Sequence, residues 1–292
     1  MAHMVASIRR KSRGDKQGSK RKAANSLAYA DRVLLPGSCE QSFGDIGTSF
    51  DELFQDAEEL TRLEALSFDA VLKPRGVQTV LDCSCGTGIQ ALGLAALGYR
   101  VSASDISNKM IAIVKSKAKQ SQLQVEAKRA DFRNLRPWAG RRFDAIISGG
   151  NSLSVLGHLN EIDQVLKSAM GLLNQNGVVI IGCRDYGLLR DDRETMLPRR
   201  SGFRDGNPEW IFDLRLFGSE RVRVINMFVR VVNGHWRLRS FVKSYLYLSA
   251  NELAVQMKLA GLSRVEVLDV KGMKPYEGGE WYLVVGAKRR LH

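Results

Sequence analysis

An apolar run that ends in a carboxylate, breaks into glycines and restarts with helical spacing constrains this chain more than any other feature. Val80-Leu81-Asp82 leads into Cys83-Ser84-Cys85-Gly86-Thr87-Gly88, and Ile89-Gln90-Ala91-Leu92-Gly93-Leu94 follows. This reads as a buried parallel strand, a tight turn through Gly86 and Gly88, and a helix whose first amide groups face the turn. Gly86-x-Gly88-x-x-Ala91 fits the dinucleotide-binding fingerprint. Asp105 stands about 20 residues on, at the end of the next apolar run, where a carboxylate can accept from ribose hydroxyls. Taken alone, the glycines serve equally well as a turn with only backbone needs. Asp82, at the strand's mouth, suits a cationic ligand better than a pyrophosphate.

The rest of the chain continues the rhythm of strand and helix expected of a doubly wound α/β sheet. The stretch Ser49 to Leu72 reads as one amphipathic helix with Phe50, Leu53, Phe54, Ala57, Leu60, Leu63, Leu66 and Phe68 at helical spacing. Arg100 to Ser104 is a strand ending in Asp105, and Ser107 can cap the helix that holds Met110, Ile111 and Val114. Leu123 to Lys128 and Phe143 to Ser148 are the next strands, opening into Asp131-Phe132 and Gly149-Gly150-Asn151-Ser152. A helix through Ile162, Val165, Leu166 and Ala169 is expected to stop at Gly177, before a fifth strand from Val178 to Cys183. Ser249 and Glu252 form a capping box for a later helix, and Arg264 to Val270 with Glu280 to Ala287 read as a closing hairpin.

Between Leu188 and Tyr247 the rhythm breaks. Glu209 to Phe217, Arg221 to Val232 and His235 to Tyr247 alternate apolar and polar residues, with Asn233-Gly234 as a strong hairpin signal. This predicts a small antiparallel insertion that either covers the site as a lid or pairs subunits in a homo-oligomer.

Charge and cysteine usage narrow the setting. The chain of 292 residues carries a net charge of +13. Eight Lys and Arg against Asp15 place more than half of that excess in residues 1–24. That segment reads as a disordered basic tail: a targeting element, an RNA or membrane tether, or a solubilising arm. No apolar run approaches the roughly 20 residues needed to span a bilayer, so no membrane partner is expected. Four cysteines, with Cys83 and Cys85 too close in a strand end for a zinc pair, point to free thiols, no metal site and a cytoplasmic setting, with organelle targeting by the tail left open.

The string D-x-x-C-G-T-G at residues 82–88, followed by Asp105 and Asp131-Phe132, resembles the cofactor motifs of class I S-adenosylmethionine (SAM) methyltransferases. Within that class, Gly150-Asn151-Ser152, Arg184-Asp185-Tyr186 and Lys274-Pro275-Tyr276-Glu277-Gly278-Gly279 resemble segments of glycine N-methyltransferase and its glycine/sarcosine relatives, over roughly residues 50 to 288. The resemblance implies a seven-stranded Rossmann-like methyltransferase sheet, SAM as cofactor with S-adenosylhomocysteine as product, and a small-molecule acceptor. It implies that Asp82, Ser84, Gly86, Gly88, Asp105, Ile106, Asp131, Phe132 and Gly149 hold the cofactor, and that Arg62 in the lead-in helix binds its carboxylate. Arg62 in a surface pair with Glu58 or Glu59 is the alternative. It implies that Asn151 orients the acceptor and Arg184 holds its carboxylate, with Tyr186 beside it; independently of the resemblance, Tyr245 and Tyr247 of the insertion are candidate pocket residues and His158, at a helix start, is a candidate proton acceptor. A turn-stabilising Asn151, an Arg184 satisfied by Asp185 or Asp213, and a structural His158 are the corresponding alternatives.

Four blocks result: the tail over 1–24, a cap helix and SAM-binding core over 25–187, the insertion over 188–247, and completion of the core over 248–292. The activity implied is N-methylation of an amino acid or related amine. O-methylation of a small metabolite, methylation of a nucleic acid recruited by the tail, and a NAD-dependent dehydrogenase are the alternatives. Nucleic acid is the less favoured partner because no stacking platform accompanies the insertion's arginines.

Overall fold

The computed structural model describes residues 46–189 and 196–288, so the basic tail over 1–24 lies outside the described residues. A seven-stranded sheet carries the fold, in the order β10-β11-β5-β4-β1-β2-β3. Its strands are β1 (Thr79–Asp82), β2 (Arg100–Asp105), β3 (Val125–Arg129), β4 (Phe143–Ser148), β5 (Leu173–Arg184), β10 (Leu262–Asp269) and β11 (Trp281–Lys288). The first five pair in parallel, while β11 runs antiparallel to both β5 and β10, so the closing hairpin inserts its second strand into the sheet. The chain reverses direction across the sheet between β1 and β4. The carboxyl ends of those two strands therefore open side by side, where ligands of open α/β sheets bind.

Helices cover both faces: α1 (Ala57–Leu72), α2 (Ile89–Ala96) and α3 (Asn108–Gln120) on one, α4 (Glu161–Met170) and α5 (Ala250–Leu259) on the other. Alternation along β1 divides the core. Leu81 packs with Trp138, Phe143 and Leu166, while Val80 packs with Phe68, Leu72, Leu94 and Val114. Each large apolar side chain buried this way contributes about 1.5–3 kcal/mol. The capping box of α5 forms as its sequence predicts, with the Glu252 amide donating to the Ser249 hydroxyl at 3.2 Å and the Ser249 amide to the Glu252 carboxylate at 2.8 Å.

Three local expectations need correction. The lead-in helix is broken: a 3-10 helix spans Gly47–Leu53, the chain extends at Phe54, and α1 starts only after Asp56. Asp56 forces the restart, because its carboxylate accepts from the Glu58 and Glu59 amides at 3.0 and 2.9 Å as an N-cap. Gly177 does not stop a helix. It lies inside β5, which begins at Leu173, just after Asn176 adopts a left-handed φ of 64°.

The insertion has four strands rather than three: β6 (Met196–Arg204), β7 (Asn207–Phe217), β8 (Arg221–Val232) and β9 (His235–Leu246), in that spatial order. Strand β6 escapes a reading by alternation because Pro198 and a register shift between Pro198 and Arg200 interrupt it, which an edge strand tolerates. Asn233 and Gly234 make the predicted two-residue turn with φ of 52° and 75°, and Val232 pairs His235 across it. This sheet docks on the core through a stacked pair, Tyr186 against Tyr245 at 5.3 Å, and through Arg221, which donates to the carbonyls of Leu156 and Gly157, both at 2.9 Å. Ile211 and Phe228 of the insertion cluster with Ile46 and Leu53 before α1 and Met110 of α3, so the second sheet lies over the open end of the first.

Candidate active site

The turn after β1 is held by two carboxylates with different jobs. Asp105, at the end of β2, accepts from the Gly86 amide at 3.0 Å with one oxygen and from the Ser107 amide at 2.9 Å with the other. It thus ties the first loop to the second and still presents its edge to the cavity beyond. Gly86 has a φ of 51° and nothing within 4 Å of where a Cβ would stand, so its backbone faces open space. The Ser84 and Ser148 hydroxyls meet at 2.9 Å and tie the loop after β1 to the loop after β4.

Asp82 sits behind this turn, with no exposure, and accepts from the Ser84 amide at 3.2 Å. Its other oxygen is buried without a hydrogen-bond partner. Burial above all, with the nearby charge of Asp105 adding to it, pushes the Asp82 carboxyl up to about 7. The folded protein therefore holds a proton here that an unfolded chain, with an ordinary carboxyl near 4, has already lost. The contribution of Asp82 to stability is greatest below about pH 4, declines as pH rises toward about 7, and is level above that. Urea unfolding of the wild type and of Asp82→Asn across pH 4 to 8 should show this decline as the difference between the two curves. A pH-independent difference would mean that Asp82 is ionised throughout.

One cavity of about 740 Å³ opens above these loops. Of the residues singled out from sequence, Ser84, Gly86, Asp105, Ile106, Asp131, Phe132, Gly149, His158 and Arg184 line it. Asp131 is gripped by Arg133, with Nε to Oδ2 at 3.0 Å and a second donor at 2.6 Å, and together with the amide bond from Arg133 this holds its carboxyl below the usual range despite burial. Arg133 also pairs with Glu161. His158 is exposed at the cavity wall, and its backbone amide donates to Glu161 at 2.8 Å.

Other candidates are placed elsewhere. Arg62 is corrected outright: its side chain is 59% exposed and bonded to Glu59 at 2.7 Å, the surface pair that helical spacing allows. Gly88 caps α2 at a φ of 95°, and a Cβ there would meet Leu92 at 2.9 Å, so its role is in the backbone. Asn151 does not line the cavity. Its side-chain oxygen accepts from the Arg184 amide at 3.0 Å and from the Ser154 hydroxyl at 2.9 Å, which makes it a positioning residue for the end of β5. Tyr186 and Tyr245 are buried against each other, and the Tyr247 hydroxyl donates to the Gly218 carbonyl at 3.0 Å, so the three tyrosines build the junction with the insertion instead of the pocket. Asp82, behind the turn, also falls outside the lining.

The cavity contains polar groups that the sequence reading passed over. Gln90 donates to Glu64 at 3.1 Å, and burial raises the Glu64 carboxyl. Both line the cavity beside Gly149, where a Cβ would stand 2.8 Å from the Gln90 amide nitrogen. The signal for Glu64 was available: it lies four residues before the buried Phe68, on the inward stripe of α1, while Arg62 does not. Arg199 of β6 and Trp281 of β11 also reach the wall, and nothing local in sequence announces either. Arg184 is 7% exposed, pairs with Glu280 at 2.8 Å, and lies 4.6 Å from the centre of the Trp281 ring. Its partner is neither Asp185 nor Asp213.

Gly86, Asp105, Asp131 and Phe132 meet at the switch point of a seven-stranded sheet with an antiparallel penultimate strand, and residues 80–177 match the family model of a methyltransferase domain. The glycine/sarcosine N-methyltransferase of Aphanothece halophytica is 29% identical over 125 residues, which cover 43% of this chain and 47% of that protein. The chain thus spans about half the length of the first curated relatives it matches. A sugar N-methyltransferase from Streptoalloteichus sp aligns over 99% of both chains with a TM-score of 0.66 at 17% identity. An amino pentose methyltransferase from Micromonospora echinaspora, solved with SAM bound, aligns over 96% of this chain and 100% of its own, with a TM-score of 0.58 at 15% identity. At such identities these structures establish the shared fold. Among the described residues no helix is long and apolar enough to cross a membrane.

Proposed function

We propose that this chain is a SAM-dependent methyltransferase that methylates the nitrogen of a small acidic amine. The observation that carries the reading is that one cavity runs from the Asp105–Gly86 turn to the buried guanidinium of Arg184. A nucleoside-bearing cofactor and an acceptor can share it. SAM, when bound, supplies a methyl group activated by its own sulfonium, so the protein needs no nucleophile of its own.

The residues present fit that cofactor. Asp105 brings a carboxylate to the cavity wall at the end of β2, the position from which an acidic side chain accepts from ribose hydroxyls. Phe132 and Ile106 offer apolar surface at the wall, and Asp131 a hydrogen-bond acceptor. Glu64 and Gln90 offer the polar groups that an amino-acid moiety requires. On the acceptor side, Arg184 fixes an anionic group and Asn151 fixes Arg184 through its backbone amide. Holding donor and acceptor in line out of water can lower a barrier by about 7–11 kcal/mol in favourable cases. An ammonium acceptor must shed a proton before it attacks, and His158 is the imidazole in the lining assigned to receive it.

Similarity to glycine/sarcosine N-methyltransferases, together with the arginine at the end of β5, supports nitrogen as the atom methylated. Transfer of labelled methyl from SAM should be assayed against glycine, sarcosine, other amino acids, amino sugars, small phenols and RNA. Label in amines supports the reading. Label in phenols alone moves it to O-methylation, label in RNA alone overturns the small-molecule acceptor, and binding of NADH without SAM overturns the class of reaction.

A further inference from the structure

Beside the main cavity lies a second one of about 290 Å³, and the two share Arg184 and Arg199 in their walls. The second adds Arg215 from β7 and one carboxylate, Glu280. Charge here is out of balance. Arg184 and Arg215 are 7% and 6% exposed, yet both pair with the same Glu280 oxygen, at 2.8 and 3.2 Å. Their Nε atoms are buried without a hydrogen-bond partner. Arg199 is held by Asp213 at 2.7 Å, but that fully buried carboxylate also serves Asn226 at 2.6 Å and faces the buried Lys243.

A buried guanidinium with open donors costs several kcal/mol unless a partner arrives. Two of them sharing one half-exposed carboxylate are arranged for a further oxyanion, and guanidinium forks are the groups that bind carboxylate or phosphate in a fixed direction.

We propose that the second cavity seats an oxyanion, carboxylate or phosphate, carried by the methyl acceptor at the end remote from its reacting nitrogen, with Arg199 and Arg215 of the insertion reading that group beside Arg184. This rests on the function proposed above and narrows it. The acceptor is an elongated anionic amine rather than one the size of glycine, and the inserted sheet is its specificity element.

Calorimetric titration of the full chain with inorganic phosphate and with malonate, at constant ionic strength set by chloride, tests this. One of the two anions should bind, weakened tenfold or more by Arg215→Gln and by Arg199→Gln, while SAM affinity in the Arg215 variant, whose altered residue lies outside the main cavity, stays within about threefold. Tighter malonate assigns a carboxylate and tighter phosphate assigns a phosphate. Should the glutamine variants fail to fold, Glu280→Gln decides: removal of the competing carboxylate should tighten anion binding at least threefold. Binding no stronger than that of chloride, or weakened by Glu280→Gln, overturns the proposal. Asp191, Asp192 and Glu194 lie outside the described residues, so a variant with all three as amides is titrated alongside. Its affinity should change less than threefold, and a tenfold gain would mean that the chain neutralises its own arginines. Loss of SAM binding in the wild type with anion binding intact would refute the methyltransferase reading and leave the anion site standing.

Discussion

Asp105→Ala is expected to weaken SAM binding by at least about 100-fold, or roughly 2.7 kcal/mol, measured by calorimetry on folded protein. The size follows from what the carboxylate does. It accepts the Gly86 amide at 3.0 Å and the Ser107 amide at 2.9 Å, and under the proposed function it also accepts from the ribose hydroxyls. Hydrogen bonds to a charged acceptor contribute about 1.5–3 kcal/mol each. Loss of the side chain removes a ligand contact and also frees the turn that shapes the cradle. Arg62→Ala in the same assay should leave affinity within about threefold, because Arg62 is bonded to Glu59 at the surface. If the two variants behaved alike, with weak effects from both, the cofactor would lie elsewhere than on the Asp105 turn.

Gly93→Val should lower both stability and cofactor affinity. A Cβ at Gly93 would stand 2.6 Å from the Thr61 carbonyl oxygen and 2.7 Å from the Ala65 Cβ, so α2 can approach α1 only because this side chain is absent. Overpacking of this kind costs about 1–3 kcal/mol, occasionally more. For a chain of this size each kcal/mol lowers the melting temperature by about 2–4 °C. Backbone cannot yield as the end of a flexible side chain can, so α1 must shift. Leu60, Glu64 and Phe68 on that helix line the cavity, and SAM affinity should fall along with the melting temperature. Gly202→Ala, where nothing lies within 4 Å and the backbone is not left-handed, serves as the control and should be near neutral. Equal melting temperatures for Gly93→Val and the control would refute the packing argument.

Most of what the sequence revealed was local and periodic. The strand, glycine turn and helix from Val80 to Leu94, the capping box at Ser249 and the Asn233-Gly234 hairpin each write their geometry into adjacent residues, because backbone sterics and hydrogen bonds act over a few positions. Where two local signals competed, the apolar stripe misled. The spacing from Phe50 to Phe68 is helical throughout, but Asp56 captures the Glu58 and Glu59 amides and breaks the run. Arg62 shows a different failure. Its position in the chain fits a carboxylate-binding arginine, yet the rotation of α1 turns Glu64 inward instead.

What the sequence determined by itself is the class of fold and the glycine turn proposed here as the cofactor cradle, since a short stretch of neighbouring residues suffices to make such a turn. The proposed acceptor side belonged to the tertiary structure. Arg184 is paired by Glu280, backed by Asn151 and joined by Arg199 and Arg215, residues brought from β5, β6, β7 and the approach to β11. No periodicity links positions so far apart. Only the docking of the inserted sheet over the open strand ends brings these charges together, and their repulsion and burial then set what that end of the protein can bind.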